Sequence, residues 1–84
     1  MYMIKKVIEA RKNFKTKSGH WLIRFVDDGR NVIGVKSYLC YPDSGCKSGF
    51  YQKINVYNEY TRDEANAYYL QLKKEGYEIT TVIG

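Results

Sequence analysis

The chain has 84 residues, about the length of one small domain, which excludes a two-lobed enzyme and a repeat array. Its 44% hydrophobic and 27% charged residues are typical of a globular protein and not of a disordered or transmembrane one. No apolar run approaches the roughly 18 residues that span a bilayer. We therefore expect a single domain over residues 1–84 and no membrane partner.

The first quarter of the chain predicts a β-hairpin. Alternation favours a strand over residues 1–11, although a helical stripe also fits Ile4, Val7 and Ile8. Residues 12–19 are polar, basic and end in glycine, which predicts the hairpin connection. Residues 20–26 form the clearest strand, with apolar side chains on both faces, so we place it centrally in a sheet.

Two further strands are predicted in the middle of the chain. A tight turn over residues 27–30 precedes a strand over residues 31–41, and a loop over residues 42–49 leads to a strand over residues 50–57. Regular alternation and pairing of these two strands would bring six side chains onto one face: Lys36, Tyr38, Tyr51, Lys53, Asn55 and Tyr57.

A capped helix and a final strand complete the chain. Thr61 and Glu64 have the spacing of a capping box, and Gly76 is a natural left-handed helix end. The stripe that should pack on the sheet comprises Ala65, Tyr68, Tyr69 and Leu72. Residues 77–83 predict the last strand. The expected fold is α+β, a mostly antiparallel sheet of four to five strands in the order β-β-β-β-α-β, with one helix on one face.

The positive charge lies in the first part of the chain. Residues 1–53 carry eleven Lys or Arg against four acids, whereas residues 54–84 carry three against five, and the whole chain has a net charge of +5. This asymmetry indicates a polyanionic partner such as nucleic acid, or an acidic protein surface. Solubility alone is the alternative explanation, since such a net charge is common in small domains.

Residues that could perform catalysis are few. His20 is the only histidine, and no Ser, Cys or acid stands at a spacing that implies a nucleophile and its base. Asp27 and Asp28 first indicate a turn, and the glycines lack nucleotide-binding spacing. We expect a protein that is not an enzyme and has neither cofactor nor metal. A metal-independent ribonuclease using His20 is the remote alternative.

Two cysteines bear on the compartment. The spacing of Cys40 and Cys46 matches no zinc site, so free thiols are expected. A disulfide that closes the loop between them is geometrically possible. Lys5 and Lys6 interrupt the apolar start of the chain, which argues against a secretory signal. We expect the protein in the cytoplasm, the host cytoplasm if a phage encodes it.

Basic and aromatic side chains make the candidate binding surface. Tyr rings can stack on bases while lysines contact phosphates, which suits RNA or single-stranded DNA. Tyrosines are equally common in protein interfaces, and some of these rings could be buried under the helix. The predicted contact residues are Lys12, Lys15, Lys17, Arg24, Lys36, Tyr38, Tyr51, Lys53 and Tyr57.

Residues 41–82 resemble the second half of an RNA-recognition motif. The resemblance rests on the Pro-Asp-Ser-Gly-Cys-Lys-Ser-Gly-Phe run at residues 42–50, on the capped helix containing Glu64 and Ala65, and on Gly76 and Tyr77 before a last strand. It implies RNA binding on the sheet. Gln52 stands where that family has its second stacking aromatic after Phe50, and residues 1–35 show no first strand-helix unit.

The whole chain resembles, in style, small Tyr- and Lys-rich proteins that phages encode to disable host enzymes or defence complexes. Lys, Asn, Tyr and Ile make up 31 of the 84 residues, as an A+T-rich genome would encode. Residues 61–65 and 76–82 are similar in pattern to phage inhibitors of host RNA polymerase. The resemblance implies a non-enzymatic protein that binds a host protein or protein–nucleic acid complex, with direct nucleic-acid binding as the alternative. A homodimer stays open.

Overall fold

The computed structural model describes residues 6–47 and 49–83, and of Ile83 the backbone alone. Its elements are β1 (Lys6–Asn13), β2 (His20–Asp27), β3 (Val32–Pro42), β4 (Phe50–Thr61), α1 (Arg62–Lys74) and β5 (Glu78–Ile83). The strands form one antiparallel sheet in the order β4-β3-β2-β1-β5. The predicted α+β fold is confirmed, with five strands. The strand predicted for residues 1–11 is observed from Lys6, and the part before it lies outside the described residues.

The first four strands follow one another as a meander because each connection has the turn chemistry it needs. Gly29 has φ +90°, and its N–H donates to the Asp27 carboxylate at 3.0 Å. Gly19 has φ +119°, and a Cβ there would collide with the Cys40 carbonyl oxygen and the Phe14 ring. Both turns therefore depend on glycine.

The helix begins and ends where its capping residues predict. The Glu64 N–H donates to the Thr61 hydroxyl at 3.2 Å, and the Thr61 N–H donates to the Glu64 carboxylate at 3.0 Å, which completes the capping box. Gly76 has φ +90°, and the Tyr77 N–H donates to the Leu72 carbonyl at 3.0 Å. Because α1 joins the two edge strands β4 and β5, it crosses one face of the sheet.

The main core lies between α1 and this face. Leu72 is 2% exposed and Ala65 5%, and both belong to one buried cluster with Ile23 and Phe25 of β2. Each large apolar side chain buried here contributes about 1.5–3 kcal/mol to folding. Four tyrosines border the core, and two of them, Tyr68 and Tyr69, belong to the stripe predicted to pack on the sheet; the other two are Tyr60 and Tyr77. We call the opposite face of the sheet, on which the described residues place no helix, the open face.

An irregularity in β4 overturns one prediction. Tyr38 pairs with Ile54 and Ser37 pairs with Val56, so Asn55 has no partner in β3 and forms a bulge. One extra residue reverses the alternation of the strand on one side of it. The six side chains expected on one face therefore do not lie together: Lys36, Tyr38 and Tyr57 lie on one face, Tyr51 and Lys53 lie on the other, and Asn55 is in the bulge.

Candidate nucleic-acid interface

The sheet separates the predicted contact residues into two groups. The open face carries Arg24, Lys36, Tyr38 and Tyr57. The helix-side face carries Tyr51 and Lys53, which pair with Tyr41 and Leu39, together with Lys12. Lys15 and Lys17 lie in the connection between β1 and β2. The predicted surface is thus two surfaces, and each must be judged by what its side chains already contact.

The open-face group is largely engaged within the protein. Arg24 forms an ion pair with Glu9 at 2.7 Å and lies 5.2 Å from the centroid of the Tyr38 ring. Tyr38 is 7% exposed. Lys36 lies over the exposed Tyr57 ring at 5.8 Å. Arg24 is therefore neutralised and Tyr38 is buried, which leaves Lys36 and Tyr57 as the accessible pair of that group.

Lys12 is also engaged, although on the other face. Its ammonium donates to the Glu75 carbonyl oxygen at 2.6 Å and lies 5.6 Å from the centroid of the Tyr77 ring. The C-terminal end of a helix presents unpaired carbonyls and partial negative charge, which a lysine satisfies. We conclude that Lys12 holds the end of α1 against β1.

The remaining residues gather at one end of the sheet. In a meander the β1–β2 and β3–β4 connections emerge at the same end, and there the Phe14 ring packs edge-on against Trp21 at 4.9 Å and lies 5.9 Å from Tyr41. The Lys17 ammonium lies 4.9 Å from the Phe14 centroid and 5.3 Å from that of Tyr41. We call this the hairpin-end surface: Phe14, Lys15, Lys17, Tyr41, Tyr51 and Lys53.

The lysines of the hairpin-end surface have no acidic partner. Lys15, Lys17 and Lys53 are exposed, and none of them takes part in the ion pairs found among residues 6–47 and 49–83. Asp43, in the nearby β3–β4 connection, accepts from the Gly45 N–H at 2.8 Å. Three uncompensated cations beside exposed ring surface can attract a polyanion and offer its planar groups a stacking partner.

The opposite end of the sheet has the contrary character. Arg62 binds the Asp27 carboxylate through two contacts of 2.6 and 3.0 Å, and Arg30 pairs with Asp28 at 2.9 Å. The hydrogen bond from Arg62, followed by that from the Gly29 N–H, lowers the pKa of Asp27. The arginines at this end therefore fasten the β2–β3 turn to the start of α1 and are not available to a ligand.

His20 is unsuited to the ribonuclease alternative. Its ring is 3% exposed and packs edge-on against Phe50 at 4.8 Å. Burial, with a smaller contribution from Arg11, lowers the pKa of His20. A general acid or base must reach the proton it transfers, and this imidazole has almost no surface to present.

Cysteines, metals and membranes can be treated briefly. Cys40 is fully buried and Cys46 half-buried; both are free thiols, and burial raises the pKa of each. Within the described residues no three His, Cys, Asp or Glu side chains group as metal ligands. Over the same residues, α1 is too short and too polar to cross a bilayer.

Comparison with protein-family models, with curated proteins and with solved structures finds no match to this chain. The site therefore rests on its own geometry. Two of its aromatic residues, Phe14 and Tyr41, were missed by the sequence prediction, as was Trp21, which packs against Phe14. Their signal was their position: each lies at a strand end beside the basic connection, where rings from separate strands can converge.

Proposed function

We propose that the protein is a non-enzymatic binding protein whose ligand is single-stranded nucleic acid, RNA or DNA, held on the hairpin-end surface. The observation that carries the proposal is the junction of converging rings with three lysines that form no ion pair within the part of the chain that the structure describes. Single-stranded nucleic acid has both features that such a surface can use, namely a phosphate chain for the cations and unpaired bases for the rings.

The geometry favours this surface over the open face for two reasons. Tyr51 is 52% exposed and lies beside Tyr41 in the cross-strand register, so adjacent rings are presented to solvent. The lysines around them have no acidic partner among residues 6–47 and 49–83, whereas Arg24 on the open face is paired with Glu9. A ligand phosphate therefore has no ion pair to displace at the hairpin-end surface.

An acidic surface of a host protein is the rival partner, as expected for a phage-type inhibitor. Such a surface would use the lysines and could bury the rings in its contact area, since tyrosine is common in protein interfaces. Single-stranded nucleic acid supplies both a regular phosphate chain for the lysines and unpaired bases for the rings, and the protein rival is an outcome of the test.

The test is fluorescence anisotropy of labelled 12-nucleotide RNA and DNA strands at two salt concentrations. Stacking of one base contributes about 1–3 kcal/mol, so Tyr51→Ala should weaken binding about 5- to 150-fold. Lys53→Ala should weaken it and reduce its salt dependence. Lys6→Ala is the matched control: it also removes one positive charge, but at the end of β1 that lies away from the hairpin-end surface. It should bind as the wild type does.

Three results would overturn the proposal. The first is no salt-dependent binding of either strand at micromolar protein. The second is a loss in Lys36→Ala that equals the loss in Lys53→Ala, since this would move the site to the open face. The third is recovery from host lysate of a protein that stays bound after nuclease treatment. If Lys53→Ala abolishes this binding and Tyr51→Ala does not, the partner is the acidic protein.

A further inference from the structure

A groove of about 420 Å³ opens between the β1–β2 and β3–β4 connections, next to the hairpin-end surface. Small-molecule sites in proteins begin at about 300 Å³, so the groove has room for a nucleotide-sized group. The lining residues that matter here are Asn13, Phe14, Lys17, Ser18, His20 and Phe50.

The groove is bounded by aromatic rings. Phe14 from the β1–β2 connection and Phe50 from the start of β4 both line it, and the buried His20 ring packs edge-on against Phe50 at 4.8 Å. Burial and, to a smaller extent, Arg11 lower the pKa of His20, which favours its uncharged form in the site. Two aromatic rings in the lining favour a flat occupant that can stack on them.

Polar groups stand at the rim. The Asn13 amide offers both a donor and an acceptor, the Ser18 hydroxyl does the same, and both residues are exposed. The edge of a nucleobase has the complementary mixture of donors and acceptors. The Lys17 ammonium, which also lines the groove, is the nearby cation for an attached phosphate.

From this juxtaposition we infer that the groove binds one unpaired nucleobase with its phosphate, which makes it the part of the surface that recognises a nucleotide. The inference rests on the proposed function, whose strand would place that nucleotide in the groove. Lys17 lies over the Phe14 and Tyr41 rings in the free protein. On binding, its ammonium moves from these rings to the phosphate, which leaves the ring surface to the base.

The experiment fills the groove without touching the lysines. Ser18→Phe adds a ring at the rim from an exposed turn position, and Ser44→Phe makes the same change in the β3–β4 connection, outside the groove lining. Binding of AMP and UMP is followed by amide chemical shifts, with adenosine and inorganic phosphate as separate probes. Thermal melts of both variants check that they fold.

We expect both mononucleotides to shift the Ser18 and Gly19 amides. Ser18→Phe should weaken mononucleotide and strand binding at least tenfold. Because the Lys17 contact to the phosphate is lost with the nucleotide, the salt slope of strand binding should also become shallower by about 0.7. Ser44→Phe should behave as the wild type. Equal behaviour of the two variants, or the same shifts with inorganic phosphate alone, would overturn the inference.

The failures of the two proposals are distinguishable. Salt-dependent strand binding that Ser18→Phe leaves intact would overturn the groove and keep the proposed function. Mononucleotide binding without strand binding would keep the groove as a nucleotide site and overturn the strand proposal. Absence of binding by any probe would overturn both.

Discussion

The salt dependence of strand binding can be worked out from the lysines of the hairpin-end surface. Each phosphate contact to a single strand contributes about −0.7 to the slope of log affinity against log salt. Contacts from Lys15, Lys17 and Lys53 then give a slope of about −2.1, so raising the salt from about 50 to 200 mM should lower affinity about 18-fold. The Lys17→Ala/Lys53→Ala double variant keeps only the Lys15 contact, so its slope should be about −0.7 and its affinity should fall only about 2.6-fold over the same rise in salt.

The assay is the anisotropy titration repeated at four salt concentrations between these limits. The control is the Lys6→Ala/Lys36→Ala double variant, which removes the same charge from positions outside the hairpin-end surface and should keep the wild-type slope. If the two double variants flatten the slope equally, binding depends on the net charge of +5 and not on this surface, and the reasoning fails.

Three further predictions concern the fold that positions the site. Leu72→Ala should lower the free energy of unfolding, measured in urea, by about 2–5 kcal/mol, because Leu72 is 2% exposed in the core. The control is Leu70→Ala, at a position that is 48% exposed. Equal losses of stability in the two variants would contradict the packing of Leu72 in the core. Asp27→Asn should lower the melting temperature at pH 7. Because Arg62 and the Gly29 N–H lower the native pKa of Asp27, this carboxylate stabilises the fold above about pH 4, and its contribution is lost as the pH falls through the native pKa. The difference between wild type and variant should therefore shrink toward pH 2, and a constant difference would refute the ion pair as its cause. Gly76→Ala should lower the free energy of unfolding by about 1–2 kcal/mol in the same urea assay, because φ at this position is +90°, which is unfavourable for a residue with a Cβ. A steric clash does not contribute, since a Cβ there meets no atom within 4 Å. No change in stability would mean that the helix end relaxes.

The amino-acid sequence by itself determined the elements whose causes are local. The helix start follows from Thr61 and Glu64, which lie three residues apart and satisfy each other's backbone N–H groups. Its end follows from the left-handed Gly76. The faces of β2 follow from simple alternation, and the order of elements follows from the turn residues. Each of these depends on a few consecutive residues, so the chain order is enough to predict it.

Only the tertiary structure decided which predicted contact residues are available. The bulge at Asn55 is a property of how β4 pairs with β3, and it moves Tyr51 and Lys53 to the face opposite Tyr57. Lys12 and Arg24 are basic in the sequence, but each has found an internal partner on a distant element. The charge asymmetry therefore indicated the basic part of the chain, and the structure selected the lysines within it that have no partner.

The hairpin-end surface itself shows why sequence reasoning stopped where it did. Phe14, Tyr41 and Tyr51 belong to three different segments, and nothing in their spacing requires them to meet. They converge for two reasons. In a meander the first and third connections lie at the same end of the sheet, and the register of β3 with β4 pairs Tyr41 with Tyr51. Local chemistry determined which residues could bind. Pairing between strands, which is non-local, decided which of them lie side by side.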